Sequence, residues 1–161
     1  MIALLPLFTD QRFKVHENKN VLGWWVGCKA ALLIARQNGY QDMEQRASVL
    51  LEKAATYIEA CYDEERKVYQ NALNSRNLDA STLQLIVMDY LDPKSDRAWQ
   101  HLEMLEKELK GENGLFYLCA FWYVEALACV GRVEEAKEIL EKLLTYSNHL
   151  GLFSEDVTED N

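Results

Sequence analysis

The chain has little of what irregular or all-β structure needs, with two prolines and seven glycines in 161 residues. That leaves too few turn positions for a sandwich or barrel of many short strands. None of the four cysteines, Cys28, Cys61, Cys119 and Cys129, forms a C-x-x-C pair. Zinc-ribbon and thioredoxin-type chemistry is thereby excluded. Cys119 and Cys129 fall on one helix, about 15 Å apart by the helical rise, too far to bridge each other. Free buried thiols in a reducing compartment are expected. Basic residues are in deficit, 17 against 26 acidic, for a net charge of −9. That sign disfavours nucleic acid and anionic membranes as partners. No run approaches the roughly 20 apolar residues of a membrane span. The apolar opening Met1-Ile2-Ala3-Leu4-Leu5-Pro6-Leu7-Phe8 has no basic n-region and no small-residue cleavage site. The cytoplasm is therefore the expected location. H-E-x-x-H, G-x-S-x-G and Gly-rich phosphate loops are missing, and His16, His101 and His149 fit no zinc spacing. No metal or cofactor is expected.

What is present points to helices. Hydrophobic residues make up 49% and charged residues 27% of the chain, a globular balance. The length suits a single domain over residues 1–161, able to bury roughly 70% of its unfolded surface. Residues 154–161 form an acidic tail carrying Glu155, Asp156, Glu159 and Asp160. Without it the balance is 17 basic against 22 acidic residues, ordinary for a soluble domain.

Apolar periodicity predicts six helices. The first covers about residues 21–37 and stops at Asn38-Gly39, a C-terminal signal. The second opens on Asp42 with Gln45 three residues on, a capping-box spacing. Its Met43, Ala47, Leu50, Ala54, Tyr57, Ile58 and Cys61 share one stripe. A turn at Asp63-Glu64-Glu65 and a short extended piece, Lys67-Val68-Tyr69-Gln70, follow. The third helix covers about 80–91 with Asp79 as cap. The fourth covers about 96–110, with Ser95 as N-cap, Trp99, Leu102, Leu105 and Leu109 inward, and His101 solvated. Gly111 and Gly114 bracket a loop. The fifth covers about 117–130 and the sixth about 132–148, with Val133, Ala136, Leu140, Leu143 and Leu144 inward.

The helices alternate in character. The first, third and fifth carry one charge each over most of their length: Lys29, Asp89 and Glu125. The others are amphipathic. A helix apolar all round calls for cover on every side, an amphipathic one for cover on one side. Each hairpin thus supplies an inner and an outer helix, and three in succession make a two-layered array, an α-solenoid or part of an α/α toroid. The incomplete ring would leave apolar edges, so a dimer or an aggregation-prone monomer is expected. The segment from Glu125 to Ala136 resembles a tetratricopeptide hairpin. Its family period is 34 residues, whereas the inner helices here begin near 21, 80 and 117.

A more specific match runs through Leu118-Cys119-Ala120-Phe121-Trp122-Tyr123-Val124-Glu125-Ala126-Leu127-Ala128, then Gly131-Arg132-Val133-Glu134-Glu135-Ala136. One helix later comes Asn148-His149-Leu150-Gly151-Leu152-Phe153-Ser154-Glu155-Asp156. This order resembles the C-terminal half of the catalytic domain of glycoside hydrolase family fifteen, the glucoamylase, glucodextranase and trehalase group. Leu78-Asp79-Ala80-Ser81 is similar to that family's L-D-A-S segment, and Trp25-Val26-Gly27 more loosely to its W-V-A helix. The resemblance implies a partial six-hairpin α/α toroid and hydrolysis of α-glucosidic bonds with inversion. Inversion uses two carboxyls about 6.5–9.5 Å apart, an acid for the leaving oxygen and a base for the attacking water. By motif position Glu155 is the implied general base. Asp156 stands where many relatives carry Glu or Gln.

The family's acid lies in a W-E-x-R segment, and no Trp-Glu pair exists here. Six helices are also half of what a six-hairpin ring contains, and Met1 reads as a start inside a longer ancestral frame. The resemblance therefore implies a truncated hydrolase, inactive alone, that is either a fragment or decayed gene product or one whose missing half comes from a second copy or a partner chain. Its substrate would be an α-glucan or α-glucoside. The alternative is a non-catalytic, tetratricopeptide-like interaction module. On composition Glu155 is equally a solvated charge in an acidic tail. Glu125, on one face with Leu118, Phe121, Trp122 and Cys129, is either an acid candidate of raised pKa or a buried structural carboxylate. Trp122 is a candidate for stacking on a sugar, and otherwise a core residue.

Overall fold

The computed structural model describes the backbone of residues 18–109 and 117–153 and the side chains of 21–107 and 119–153. The described residues are overwhelmingly helical, an all-α fold with six α-helices and one two-stranded hairpin. They fall into two compact units. One holds the described residues up to Tyr62 together with Gln70–Asn77. The other holds Asp63–Tyr69 and the described residues from Leu78 onward.

The first unit is built on α1 (Asn18–Asn38) and α2 (Gln41–Ala60). Val21, Cys28, Leu32 and Ala35 recur on one side of α1 and are buried. Ala47, Leu50, Ala54 and Ile58 do the same on α2, as the periodicity predicts. Three of these are alanines with no exposed surface, Ala35, Ala47 and Ala54. A methyl side chain lets two helix backbones approach closely. The turn between them forms where predicted: Gly39 takes φ +70°, and the Tyr40 N–H donates to the Ala35 carbonyl at 2.9 Å. Glycine enters that left-handed region without a Cβ clash. The capping box does not form. Helix α2 begins one residue earlier than expected, with Tyr40 at the cap and no side-chain cap bond. Asp42 sits inside the first turn, where its charge favours the helix dipole.

Short strands β1 (Tyr62–Asp63) and β2 (Val68–Tyr69) carry the chain toward the second unit. Their turn is organised by Asp63, whose Oδ1 accepts from the Glu65 and Arg66 N–H groups at 3.0 Å each. It closes with Lys67 at φ 56°.

In the second unit, Asp79 caps as predicted, its carboxylate accepting the Ser81 N–H at 2.7 Å. The helical segment behind this cap is shorter than expected: a 3-10 turn, Ala80–Leu83, then a single turn, α3 (Gln84–Val87). The chain reverses at Asp89, φ 58°, where the Tyr90 N–H returns to the Leu85 carbonyl at 3.0 Å. Three amphipathic or apolar helices complete the unit, α4 (Asp96–Leu109), α5 (Tyr117–Cys129) and α6 (Val133–Leu144). Ser95 caps α4, its hydroxyl accepting the Ala98 N–H at 3.2 Å.

Helix α4 turns a different side inward from the one expected. Ala98, His101, Leu102 and Leu105 are all buried, while Trp99 is 44% exposed. The buried set has i, i+3, i+4, i+7 spacing, and Trp99 stands about 100° from Ala98 around the helix. In α6 Ala136 and Leu143 are buried, but Val133 and Leu144 are exposed. Both stand at the ends of the helix and to one side of that stripe. No disulfide joins the four cysteines: Cys28 and Cys61 are buried, Cys119 is half-buried and Cys129 exposed. The expectation of burial therefore fails at Cys129. No helix among the described residues is long and apolar enough to cross a membrane.

Candidate functional site

The segment ahead of Glu155 is ordered by its own hydrogen bonds. Asn148 comes after the last turn of α6, and its Oδ1 accepts from the Leu150 N–H at 2.9 Å and the Leu152 N–H at 3.0 Å. The Asn148 N–H donates to the Leu152 carbonyl and the Gly151 N–H to the Asn148 carbonyl, both at 2.9 Å. Gly151 takes φ +75°, which glycine alone adopts freely. An asparagine side chain that imitates a backbone turn in this way fixes a short loop without secondary structure. The loop ends on Phe153, whose ring meets Phe121 of α5 edge-on at 5.2 Å, a favoured aromatic geometry. Ser154 and Glu155 come next in the chain and lie outside the described residues, as does the rest of the acidic tail.

A charged network holds the helix from which this loop departs. Arg132, at the start of α6, donates to Glu106 of α4 at 3.0 Å and to Glu135 at 2.6–2.9 Å. The Tyr123 hydroxyl of α5 donates to the other Glu106 oxygen. Glu106 is 11% exposed at the side chain and Arg132 23%, so the pair is only partly screened by water. Burial, followed by the hydrogen bond to Glu106 and its charge, holds the Tyr123 phenol well above its ordinary pKa. The hydrogen bonds to Glu106 lead the causes that raise Arg132. At neutral pH the cluster is a fixed ion triad joined to a neutral phenol, and it ties α4, α5 and α6 together. Sequence reasoning did not bring these four residues together.

A second polar node lies deeper. His101, expected in solvent, has no exposed surface. Its Nδ1 accepts the Tyr69 N–H at 3.2 Å, and its Nε2 lies 3.0 Å from the Thr82 carbonyl. A backbone N–H can only donate, so Nδ1 is bare and Nε2 carries the proton it gives to Thr82. The Tyr69 ring also packs edge-on against His101 at 5.5 Å, and Arg97 covers that ring at 5.1 Å. Burial pushes the imidazole down to about 4, against a smaller upward pull from the Thr82 bond. The neutral ring joins β2, the 3-10 turn and α4.

Of the predicted site residues, Trp122 and Glu125 are described, and both lie on α5. Trp122 is half-buried on α5, next in sequence to the Phe121 that receives Phe153. Glu125, on the same helix, is exposed, so neither the apolar pocket nor the buried structural carboxylate expected for it exists. It stands opposite the buried Ala120, Val124 and Leu127 stripe. Burial first, then the charges of Glu125 and Asp89, raise the Cys129 thiol above its ordinary pKa. In the other unit, Lys29 stacks over Trp25 at 4.8 Å. Among the described residues no group of three His, Cys, Asp or Glu side chains could hold a metal ion.

The comparisons show what the chain is similar to, and the likeness is to glycoside hydrolases. No protein-family model matches the chain, but trehalases do. That of Thermoplasma volcanium is 28% identical over 152 residues, 84% of this chain and 24% of that protein. That of Thermoplasma acidophilum is 29% identical over 114 residues, 61% of this chain and 20% of that protein. That of Mycobacterium tuberculosis is 27% identical over 160 residues, 88% of this chain and 24% of that protein. The chain thus spans about a quarter of the length of the curated relatives it matches.

Proposed function

We propose that this chain is part of an inverting α-glucoside hydrolase of the trehalase kind, with trehalose as substrate and Glu155 as general base. The observation that carries the reading is similarity to trehalases along most of the chain. The ordered Asn148–Phe153 turn immediately ahead of Glu155 supports it. In an inverting step the base removes a proton from water as the oxygen attacks the anomeric carbon, and an acid protonates the departing sugar oxygen from the other face. Glu155 takes the first role. The chain contains no Trp-Glu segment for the second, so it is inactive alone and a further polypeptide segment supplies the acid. Trp122 is the ring proposed to face the sugar.

The test is glucose release from trehalose, with maltotriose as comparison, by the purified chain and by the chain combined with an acid-bearing trehalase fragment. The expected result is no release by the chain alone. The combination should cleave trehalose and lose roughly 10²–10⁴-fold of its rate in Glu155→Gln. A combined activity indifferent to Glu155→Gln refutes the role of the base. Activity of the chain alone that Glu155→Gln abolishes shows an acid within it, and Glu125 is then the first to replace.

A further inference from the structure

The turn ahead of Glu155 has one apolar foothold. Of its residues 148–153, Phe153 alone is withdrawn from solvent. Leu150 and Leu152 are 69% and 60% exposed, so burial of these leucines does not hold the turn down. The hydrogen bonds of Asn148 and Gly151 run within the turn and fix its shape. They do not attach it to a helix. The Phe153 ring does so, meeting the half-buried Phe121 of α5 edge-on at 5.2 Å.

Where Phe153 sits limits where Glu155 can be, because two peptide links let their Cα atoms stand at most about 7 Å apart. Phe121 is followed on α5 by Trp122, the ring proposed to face the sugar, and by Tyr123, whose hydroxyl donates to Glu106. Three successive residues thus refer the departing chain, the sugar-facing ring and the Glu106–Arg132 cluster to one turn of one helix. We propose that Phe121 is a positioning residue: through Phe153 it fixes the point from which the chain presents Glu155 to the attacking water, an inference that rests on the trehalase reading above. Phe121 itself moves no proton. An edge-on aromatic pair shifts a docking equilibrium by up to about tenfold, and displacing a reacting group by about 1 Å costs about 10²-fold in rate. Losing the contact therefore costs roughly 10–10²-fold, less than removing the base itself.

The experiment replaces the segment of Thermoplasma volcanium trehalase aligned with this chain by the full chain, and compares Phe121→Ala, Phe153→Ala and the double variant in that hybrid. Trehalose cleavage is read as kcat and KM. Each single variant should lose roughly 10–10²-fold in kcat with KM unchanged within about twofold, since the contact serves a group that acts in the transition state. The double variant should lose no more than either single one, because both remove the same contact. In the chain by itself, cleavage after Glu155 by a glutamate-specific protease should be about tenfold faster in each variant, with helical circular dichroism matching the parent. Phe153 stands outside every helix, so Phe153→Ala keeps the test decisive where Phe121→Ala disturbs α5. Variants that keep kcat, that change KM alone, or whose losses add in the double variant overturn the inference. So do protease rates equal to that of the parent. A parent hybrid that releases no glucose refutes the trehalase reading, and the protease rates then decide the Phe121 contact by themselves.

Discussion

Replacing His101 by leucine removes an acceptor and a donor from the interior while keeping an apolar side chain of similar bulk. The Tyr69 N–H, 3.2 Å from Nδ1, loses its side-chain acceptor, and the Thr82 carbonyl loses its imidazole donor. A buried polar group left unpaired costs about 1–3 kcal/mol, so the variant should lose about 2–4 kcal/mol in urea unfolding at pH 7.5. The same ring makes stability depend on pH. Its folded-state pKa, pushed down to about 4 by burial, lies below the unfolded value of 6.5. The unfolded chain therefore binds more protons between these two values. The contribution of His101 is complete above pH 6.5 and is lost as pH falls toward 4. At 1.36 kcal/mol per pH unit, about 2 kcal/mol should disappear between pH 6.5 and 5. Other groups titrate there too, so the assay compares parent and His101→Leu at each pH. The stability gap between them should narrow by about 2 kcal/mol over that interval. Parallel pH profiles for the two proteins would refute the assignment of a buried neutral imidazole.

Arg132→Leu strands Glu106, 11% exposed, beside Tyr123. Breaking a buried pair costs about 3–5 kcal/mol, and the partial exposure reduces this to about 2–3 kcal/mol, measurable by thermal or urea unfolding. Lys67→Gly should stabilise by about 0.5–1 kcal/mol, because glycine adopts φ 56° without strain and the exposed Lys67–Glu64 pair at 3.0 Å contributes little. Asn148→Ala should raise amide exchange at Leu150 and Leu152 at least tenfold, since both N–H groups bond its Oδ1, while leaving the melting temperature within about 2 °C of the parent.

Much of the local structure was legible in the residues. The stripe Ala47, Leu50, Ala54 and Ile58, the caps Asp79 and Ser95, and the stop at Asn38-Gly39 all appear where pattern and cap chemistry put them. These depend on neighbours within a turn or two. The errors share a cause as well. On α4 the larger Trp99 outweighed Ala98 as an inward residue, which rotated the expected stripe and put His101 in solvent. On α5, expected to be covered on every side, Ala120, Val124 and Leu127 are buried while Glu125 and Cys129 are exposed. Alanines lie where backbones come close, and hydrophobicity ranks them below the aromatic residues beside them. The Asn148 turn had a signal, asparagine three residues before glycine, but its partners are backbone groups that only the folded loop brings within reach.

By itself the sequence determined the fold class, most helix positions and the motif that draws attention to Glu155, because periodicity, caps and motif order are local or linear properties. The tertiary structure decided which helix faces are covered. It turned His101 inward onto two backbone groups and gathered Glu106, Tyr123, Arg132 and Glu135 from three helices. Each of these depends on groups distant in sequence becoming neighbours, and a burial or a pairing exists only once packing has removed water from between them.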